Sequence, residues 1–432
     1  MKTKLLILPV IVALAVITGC SDDNPSGGSA DAPIAVTESE LKEAVYYTFP
    51  LMIMDATESV ETNAETFVPG IPRAPVNQLI HAVKMADASS KSVVTPNVDT
   101  YYSRLWLDMT AEPIVLEFPD VKDRFCNVQV LDAWTNTTKL ITDGGTYIFA
   151  RKGQNVTVPP GAFLVEMPTA MGWCIVRVLN NGEGDYDNVK KIQDAMKAYP
   201  LSAYGNAGYV APKGTYDAAK DVNPVMKCMA MSLEEYFAKA NSLMEKNSPL
   251  SFDAEIINRL KKLGVGPGLK LKKIENGAEL FAKIKASFKG DAVAVAATYK
   301  KKMGGVWSYF TEPIGDFGKA YDFRAAVALV GLGANTNEVA IYPRADYDSN
   351  QEALNGTNSY TLHFSSLPPV EKGGFWSITA YGDDDYLIDN PINRYNVTDR
   401  SEYKLNADGT LDVTLSANAP QDGSFWLPTG NK

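Results

Sequence analysis

Residues 95–136 read TPNVDTYYSRLWLDMTAEPIVLEFPDVKDRFCNVQVLDAWTN, and the spacing within them decides what scaffold the chain builds. From Ser103 the pattern turns apolar with a short period, Pro113 to Phe118 is a compact strand, and Phe125 to Leu131 alternates as a half-buried strand does. Polar and aromatic residues gather where these strands begin and end. Asn97, Asp99, Thr100, Tyr101 and Tyr102 enter the first strand, while Asp132, Trp134 and Asn136 leave the third. In an antiparallel meander the two clusters lie at opposite ends of the sheet, so a single pocket requires a bend or a partner segment.

Short strands continue around Thr146–Ala150, Ala162–Met167 and Cys174–Leu179, separated by Gly and Pro turns. Upstream, Thr37 and Glu40 make a capping box for a helix over Glu38–Thr57, with Leu41, Ala44, Val45, Thr48, Leu51 and Met52 at helical spacing. Residues 64–94, with Pro69, Pro72 and Pro75, read as irregular. From Asp185 the period lengthens. Tyr186–Tyr199, Ser232–Lys246, Ser251–Lys262 and Asn276–Lys302 read as helices, interrupted by Pro200, Pro249 and the Gly264–Gly268 loop. Strands resume at Val339–Tyr342, Ser359–Phe364, Phe375–Tyr381 and Tyr386–Ile388, with an Asp-Gly turn at Asn406–Gly409. The expected fold is α+β, mainly β: two antiparallel β-sandwich or jelly-roll-like domains, 38–184 and 336–432, joined by a helical connector over 185–335.

The first 20 residues carry an address. Lys2 and Lys4 precede an apolar run from Leu5 to Ile17 that ends in Thr18-Gly19-Cys20. A membrane span needs about 20 apolar residues, so this shorter run reads as a secretory signal. Small residues before a cysteine fit a lipoprotein cleavage site, making Cys20 the lipidated N-terminus; the alternative is an ordinary signal with an incidental cysteine. Residues 21–37, rich in Ser, Asp, Gly and Pro, read as a tether. The expected place is the cell envelope, anchored through the N-terminal lipid to the outer membrane or facing the periplasm. A formal net charge of −10 argues against nucleic acid and against charge-driven adhesion to anionic lipid. Cys126, Cys174 and Cys228 remain, an odd set that leaves at least one thiol free or paired with another chain and keeps a homo-oligomer open. Cys126 and Cys174, both in strands, are either bridged or buried as small hydrophobes.

TPNVDTYYSRLWLD, EPIVLEFPD and VLDAWTN resemble the first of two paired bacterial families known only as domains of unknown function, DUF1254 and DUF1214. GVGPG at 264–268, RAAVALVGLGAN at 324–335, GGFWSITAYGDDDYLIDNPINRY at 373–395 and DGTLDV at 408–413 are similar to the second half of that architecture. The resemblance covers most of residues 40–432. It implies two β-rich domains joined by helices and implies no particular reaction.

Common catalytic signatures are absent: the chain has no G-x-S-x-G, H-E-x-x-H, Walker A loop or C-x-x-C, and two histidines cannot build a three-His zinc site. The polar clusters offer other chemistry. Asp99 could act as a general base, with His81 just upstream as a proton-transfer partner, Tyr101 or Tyr102 as donors, and Trp106 or Trp134 as an apolar wall. Asn97 and Asp132 join this set. The bland alternative has Asn97 and Asp99 capping turns and His81 playing a structural part. Arg394, beside Tyr395, clamps a ligand carboxylate or pairs with Asp99 or Asp132. Asp383, Asp385 and Asp389 either serve calcium or form a solvated acidic turn. Carboxylate, phenol and indole together suit a sugar-like or polyol ligand in a cleft. The alternatives are a hydrolase or other enzyme using Asp99, His81 and Arg394, and a purely structural envelope protein.

Overall fold

The computed structural model describes residues 32–91 and 94–430; the signal-like run, Cys20 and residues 21–31 of the tether lie outside the described residues. Helix α1 (Glu38–Glu61) opens on the expected capping box: the Thr37 side chain accepts the Glu40 N–H, and the Glu40 carboxylate accepts the Thr37 N–H at 2.9 Å. It runs past Thr57. Tyr47, Phe49, Leu51 and Met54 are all buried, so apolar residues surround the helix and it sits inside a core, not on a surface.

Strands β1 (Leu79–His81), β2 (Thr100–Asp108), β3 (Ile114–Phe118), β4 (Cys126–Asp132), β5 (Thr137–Ile141), β6 (Gly145–Arg151), β7 (Phe163–Met167) and β8 (Met171–Leu179) follow, then helix α2 (Tyr186–Ala195) and strand β9 (Lys197–Pro200). They form two sheets, ordered β1-β2-β8-β4-β5 and β7-β6-β3-β9. The expected meander is replaced by a crossover, because β3 leaves for the second sheet and β8 takes its place between β2 and β4. Both neighbours run antiparallel to β8, with Thr100 opposite Leu179 and Cys126 opposite Val178. The start of β2 and the end of β4 therefore lie at opposite ends, on the order of 20 Å apart at about 3.3 Å per residue.

The two sheets pack face to face. Leu105, Leu107, Val128, Val130, Val176 and Val178 from the first meet Leu116, Phe118, Tyr147, Phe149 and Val165 from the second. This sandwich reaches beyond residue 184, since β9 pairs antiparallel with β3. The helix expected to reach Tyr199 stops at Ala195, and the chain from Lys197 to Pro200 is extended and paired with β3 instead. Pairing is not purely antiparallel: β6 and β7 run parallel. Cys126, Cys174 and Cys228 are all free and buried.

Helices α3 (Pro224–Ala230), α4 (Leu233–Lys246), α5 (Ala254–Leu260), α6 (Gly277–Thr298) and α7 (Tyr321–Val330) join α1 on the other face of the five-stranded sheet. There Trp106 and Trp173, directly opposite in register, stack at 4.6 Å with planes 7° apart. Together with Leu131 and Ile175 they share one core with Tyr47, Phe49, Phe237 and Phe288. The helix expected over Asn276–Lys302 ends at Thr298, and Lys300–Lys302 instead enter an exposed hairpin of β10 (Lys300–Gly304) and β11 (Trp307–Phe310). The C-terminal domain holds β12 (Tyr360–Phe364), β13 (Ser377–Thr379), β14 (Asn396–Thr398), β15 (Leu411–Ser416) and β16 (Trp426–Pro428). Its sheets are ordered β12-β15-β16 and β13-β14, over a core of Trp376, Val397, Leu411, Val413 and Leu427. Val339–Tyr342, expected as a strand, carries no sheet pairing. The architecture is α+β, with two strand-rich domains joined by helices. Among the described residues, no helix is long and apolar enough to cross a membrane.

The indole stack is the joint between the sheet and the helical layer. Trp106→Ala should lower the free energy of unfolding by about 3–5 kcal/mol, as large aromatic truncations in closed cores do; chemical denaturation of the two proteins checks it.

Candidate functional site

The helix-facing side of the five-stranded sheet changes character along its length. One end carries Trp106, Trp173 and Leu131 and the other Thr100, Tyr102, Arg177 and Asn127, with Arg104, Ile175 and Gln129 forming the row between them. Tyr102, Arg177 and Asn127 stand in one row across β2, β8 and β4. Arg177 interrupts MGWCIVRVL, a strand in which every residue is buried. Its Nη1 donates to Gln129 Oε1 (2.7 Å) and Asn335 Oδ1 (3.0 Å), its Nη2 to the Gly333 carbonyl (2.9 Å), and its guanidinium lies 5.4 Å from the Tyr102 ring. These acceptors are neutral, so the buried cation is solvated by protein dipoles without being cancelled. The loop after α7 supplies two of them, and it comes close because position 333 is glycine: φ is +79°, and a Cβ there would lie 2.7 Å from Ile175 Cδ1.

Asp99 sits at the start of β2, only 8 % exposed. Asn97 caps its turn, accepting the N–H groups of Asp99 (2.7 Å) and Thr100 (2.9 Å). The Asp99 carboxylate reaches across to the C-terminal domain, where Oδ1 accepts from Asn396 Nδ2 at 2.8 Å and Arg400 Nη2 at 3.0 Å. Arg400 also pairs with Asp399 at 2.6 Å and lies over the Phe375 ring at 5.0 Å. Burial pushes the Asp99 carboxyl above its usual range, and Ser377, Arg400 and Asn396 pull it partly back.

Two further phenols complete the junction. Tyr342 is 53 % exposed overall, yet its hydroxyl is tucked in, accepting from Asn335 Nδ2 at 2.8 Å. Burial raises its pKa, with Arg177 opposing and Tyr102 and Asp99 adding. The Tyr381 hydroxyl donates to the Pro96 carbonyl at 3.1 Å and is pushed up to about 12 by burial, with Asp99 and Tyr102 adding to the rise. Tyr102, Tyr342, Tyr381, Asp99 and Arg177 thus share one electrostatic neighbourhood on the seam between the domains. The same seam is stitched by Thr95 N–H to the Asp385 carbonyl (2.7 Å) and Tyr386 hydroxyl to the Lys91 carbonyl (3.0 Å).

At this end of the sheet three buried polar atoms, Thr100 Oγ1, Asn127 Oδ1 and Asn180 Oδ1, have no partner among the described residues. Thr100 and Asn127 are 2 % and 1 % exposed and share the face of Tyr102 and Arg177. Asn180 donates its backbone N–H to the Asp99 carbonyl at 2.8 Å. A buried polar group costs about 1–3 kcal/mol unless water or another group meets it, so these atoms have hydrogen-bonding capacity to offer.

Only part of the expected set meets here: Asn97, Asp99 and Tyr102. His81 bonds Ser103 Oγ through Nδ1 at 2.8 Å, and the register turns both toward the sandwich side, away from Tyr102. Burial drives the His81 pKa down to about 4. Tyr101 also faces the sandwich, packing on Tyr186 at 5.1 Å. Trp106 and Trp134 lie in the helical core and wall no cleft at the junction, since alternation carries Trp106 to the apolar end and Trp134 leaves the far end of β4. Asp132, at that far end, folds its own turn by accepting the N–H groups of Trp134 (2.8 Å) and Asn136 (2.9 Å). Arg394 pairs with neither aspartate; the Asn390 turn directs it to the Trp426 carbonyl at 3.1 Å, while the Tyr395 hydroxyl meets Asn393 Oδ1 at 3.4 Å. Asp385 is taken by Arg344 at 2.7 Å and Asp383 and Asp389 are exposed; among the described residues no group of three or more His, Cys, Asp or Glu can hold a metal. Arg177, Asn335, Tyr342, Tyr381, Asn396 and Arg400 join the site only through the fold. A lone charge inside an otherwise apolar strand was the one available signal, at Arg177.

Residues 76–200 match the family model DUF1254 and residues 339–432 match DUF1214, each described as a protein of unknown function. Among solved structures, the VPA0106 protein from Vibrio parahaemolyticus is 22 % identical over 92 % of this chain and 93 % of its own, with a TM-score of 0.65. An uncharacterised protein from Burkholderia cenocepacia is 12 % identical over 89 % of this chain and 81 % of its own, with a TM-score of 0.42. None of the curated proteins compared with the chain matches it. The first likeness shows the shared fold.

Two outcomes test this geometry. Gly333→Ala should cost about 1–3 kcal/mol, because it adds both a strained φ and a clash with Ile175, and a thermal melt measures it. His81, with a folded pKa of about 4 against roughly 6.5 unfolded, takes up its proton in the unfolded chain first. Its contribution to stability is present above about 6.5 and is lost as the pH falls toward 4. His81→Gln should flatten that part of the stability profile, and an NMR titration of the imidazole should find it neutral throughout pH 6–8.

Proposed function

The chain belongs to the paired DUF1254 and DUF1214 architecture, and from that premise we propose that it is a lipid-anchored protein of the cell envelope whose domain junction binds a small polyhydroxylated ligand, sugar-like or polyol. The observation that carries the reading is the pair of orphaned atoms on Thr100 and Asn127, which share the face of Tyr102 and Arg177 close to the cross-domain carboxylate Asp99. A ligand rich in hydroxyls both donates and accepts, and so can satisfy such atoms, while phenol rings offer faces for its C–H surface. Domain junctions are where such sites are usually built, and rigid strands hold these groups in place. The charges are already balanced or dipole-solvated, which favours a neutral ligand over an anion. A hydrolase using Asp99, His81 and Arg394 finds less support, since the three side chains stand apart.

The envelope address rests on Lys2, Lys4, the apolar run and Cys20. Saturation-transfer NMR of the chain with a panel of neutral monosaccharides, oligosaccharides and linear polyols tests the ligand. At least one should bind, and Tyr102→Phe and Asn127→Leu should each weaken it about tenfold, or about 1.4 kcal/mol. Silence across the panel, or equal binding by both variants, sinks the ligand reading. Mass spectrometry of the mature N-terminus should find an acylated Cys20.

A further inference from the structure

A second guanidinium is buried more deeply than the first. Arg324 of α7 is 0 % exposed, and its Nε, Nη1 and Nη2 have no hydrogen-bond partner among the described residues. Three rings box it instead: the guanidinium carbon lies 5.2 Å from the centroid of Tyr321, 5.3 Å from Trp134 and 5.5 Å from Tyr47. Tyr321 and Tyr47 donate their hydroxyls to the two oxygens of Asp253, at 2.9 and 3.0 Å, and Asp253 is itself fully buried. A phenol that donates to a carboxylate becomes more electron-rich, which strengthens its hold on a cation.

The third ring is delivered under strain. Trp134 sits in the turn 132–136, where Thr135 adopts φ +70°, a conformation that a β-branched residue takes only when its surroundings impose it. Asp132 holds that turn through the N–H groups of Trp134 and Asn136. The turn is also tied to the segment ahead of α7, because Asn136 Oδ1 accepts the Phe317 N–H at 3.3 Å and Thr137 N–H reaches the Gly315 carbonyl at 2.6 Å. No hydrogen bond fixes this cation; the three rings do, together with the pull of the buried Asp132 carboxylate, whose pKa burial raises and this cation partly lowers again. The planar box fixes the rotation of α7, and α7 runs directly into the loop whose Gly333 carbonyl and Asn335 amide hold Arg177.

We propose that Arg324 is a positioning residue for the domain junction: caged between α1, α7 and the 132–136 turn, it sets the 331–335 loop that holds Arg177 and thereby the polar face of the sheet. The functional weight of this inference rests on the ligand reading above, but its test does not need a ligand. Hydrogen–deuterium exchange is followed on the full chain for Arg324→Met and Arg324→Lys. In Arg324→Met the amides of 331–337 should exchange at least tenfold faster, with β3 and β6 unchanged, and Arg324→Lys should restore part of the protection. The Arg177 side-chain Nε–H resonance should shift or split in Arg324→Met. Should that variant not fold, Tyr321→Leu removes one ring from a partly exposed position, and the same local exchange should rise severalfold. Unchanged exchange at 331–337, or a rise shared equally by β3 and β6, overturns the proposal. Local loosening together with no sugar binding by the unaltered chain supports the positioning role and sinks the ligand reading alone.

Discussion

A positive charge inside an all-buried strand constrains everything around it. Arg177 has no carboxylate within salt-bridge distance among the described residues and is held by Gln129, Asn335 and the Gly333 carbonyl. Removing such a charge from water costs several kcal/mol unless all its donors are met, so the chain must bring acceptors to it. That demand explains a glycine at 333 with no room for a side chain, the second use of Gln129 in reaching the Ala334 carbonyl at 2.8 Å, and the ordered path of the backbone after α7. The sheet is consequently two-faced along its length. Its helix side is sealed by Trp106 and Trp173 at one end and left polar at the other, where the C-terminal domain closes over it.

The closure itself depends on Asp99. A carboxylate this buried is raised above its usual range, and the three groups that restrain it, Ser377, Arg400 and Asn396, all come from the other domain. Neither domain alone completes the environment: the first supplies the acid and the second the guanidinium and amide. Arg400 is in turn steadied by Asp399 and the Phe375 ring. The junction is thus part of the fold's electrostatic closure and not a loose contact, which is what a preorganised site requires.

The chain is legible where local physics decides its structure. Thr37 and Glu40 announce α1 because a capping box involves residues three apart, and the strands of 100–132 announce themselves by alternation. The departures come from longer range. No spacing reveals that β3 crosses to another sheet, or that β8 fills its place, because both choices depend on which apolar faces meet. Asp99 was singled out for its company in the sequence, but its partners lie about 300 residues on. Arg394 was the one arginine of NRYNVTDR that the sequence offered for Asp99 or Asp132. The Asn390 turn and the short strand β14 instead send Arg394 to the Trp426 carbonyl and bring Arg400 to the carboxylate.

The same bookkeeping of charge bears on what the junction can hold. Arg400 is matched by Asp99 and Asp399, while Arg177 is met by neutral dipoles, so no bare pair of cations waits for a phosphate or carboxylate. What is unmatched among the described residues is hydrogen-bonding capacity without charge: the Thr100 hydroxyl and the Asn127 oxygen on the face of Tyr102. Neutral hydroxyls answer that deficit at little desolvation cost, whereas an anion would give up its water to meet Asp99 at close quarters. Specificity built on buried polar atoms is also sharper than specificity built on apolar shape, because a ligand lacking the right hydroxyl leaves those atoms unpaired again. The physical character of the site is therefore set less by its ionised residues than by the uncharged ones that the fold buries beside them.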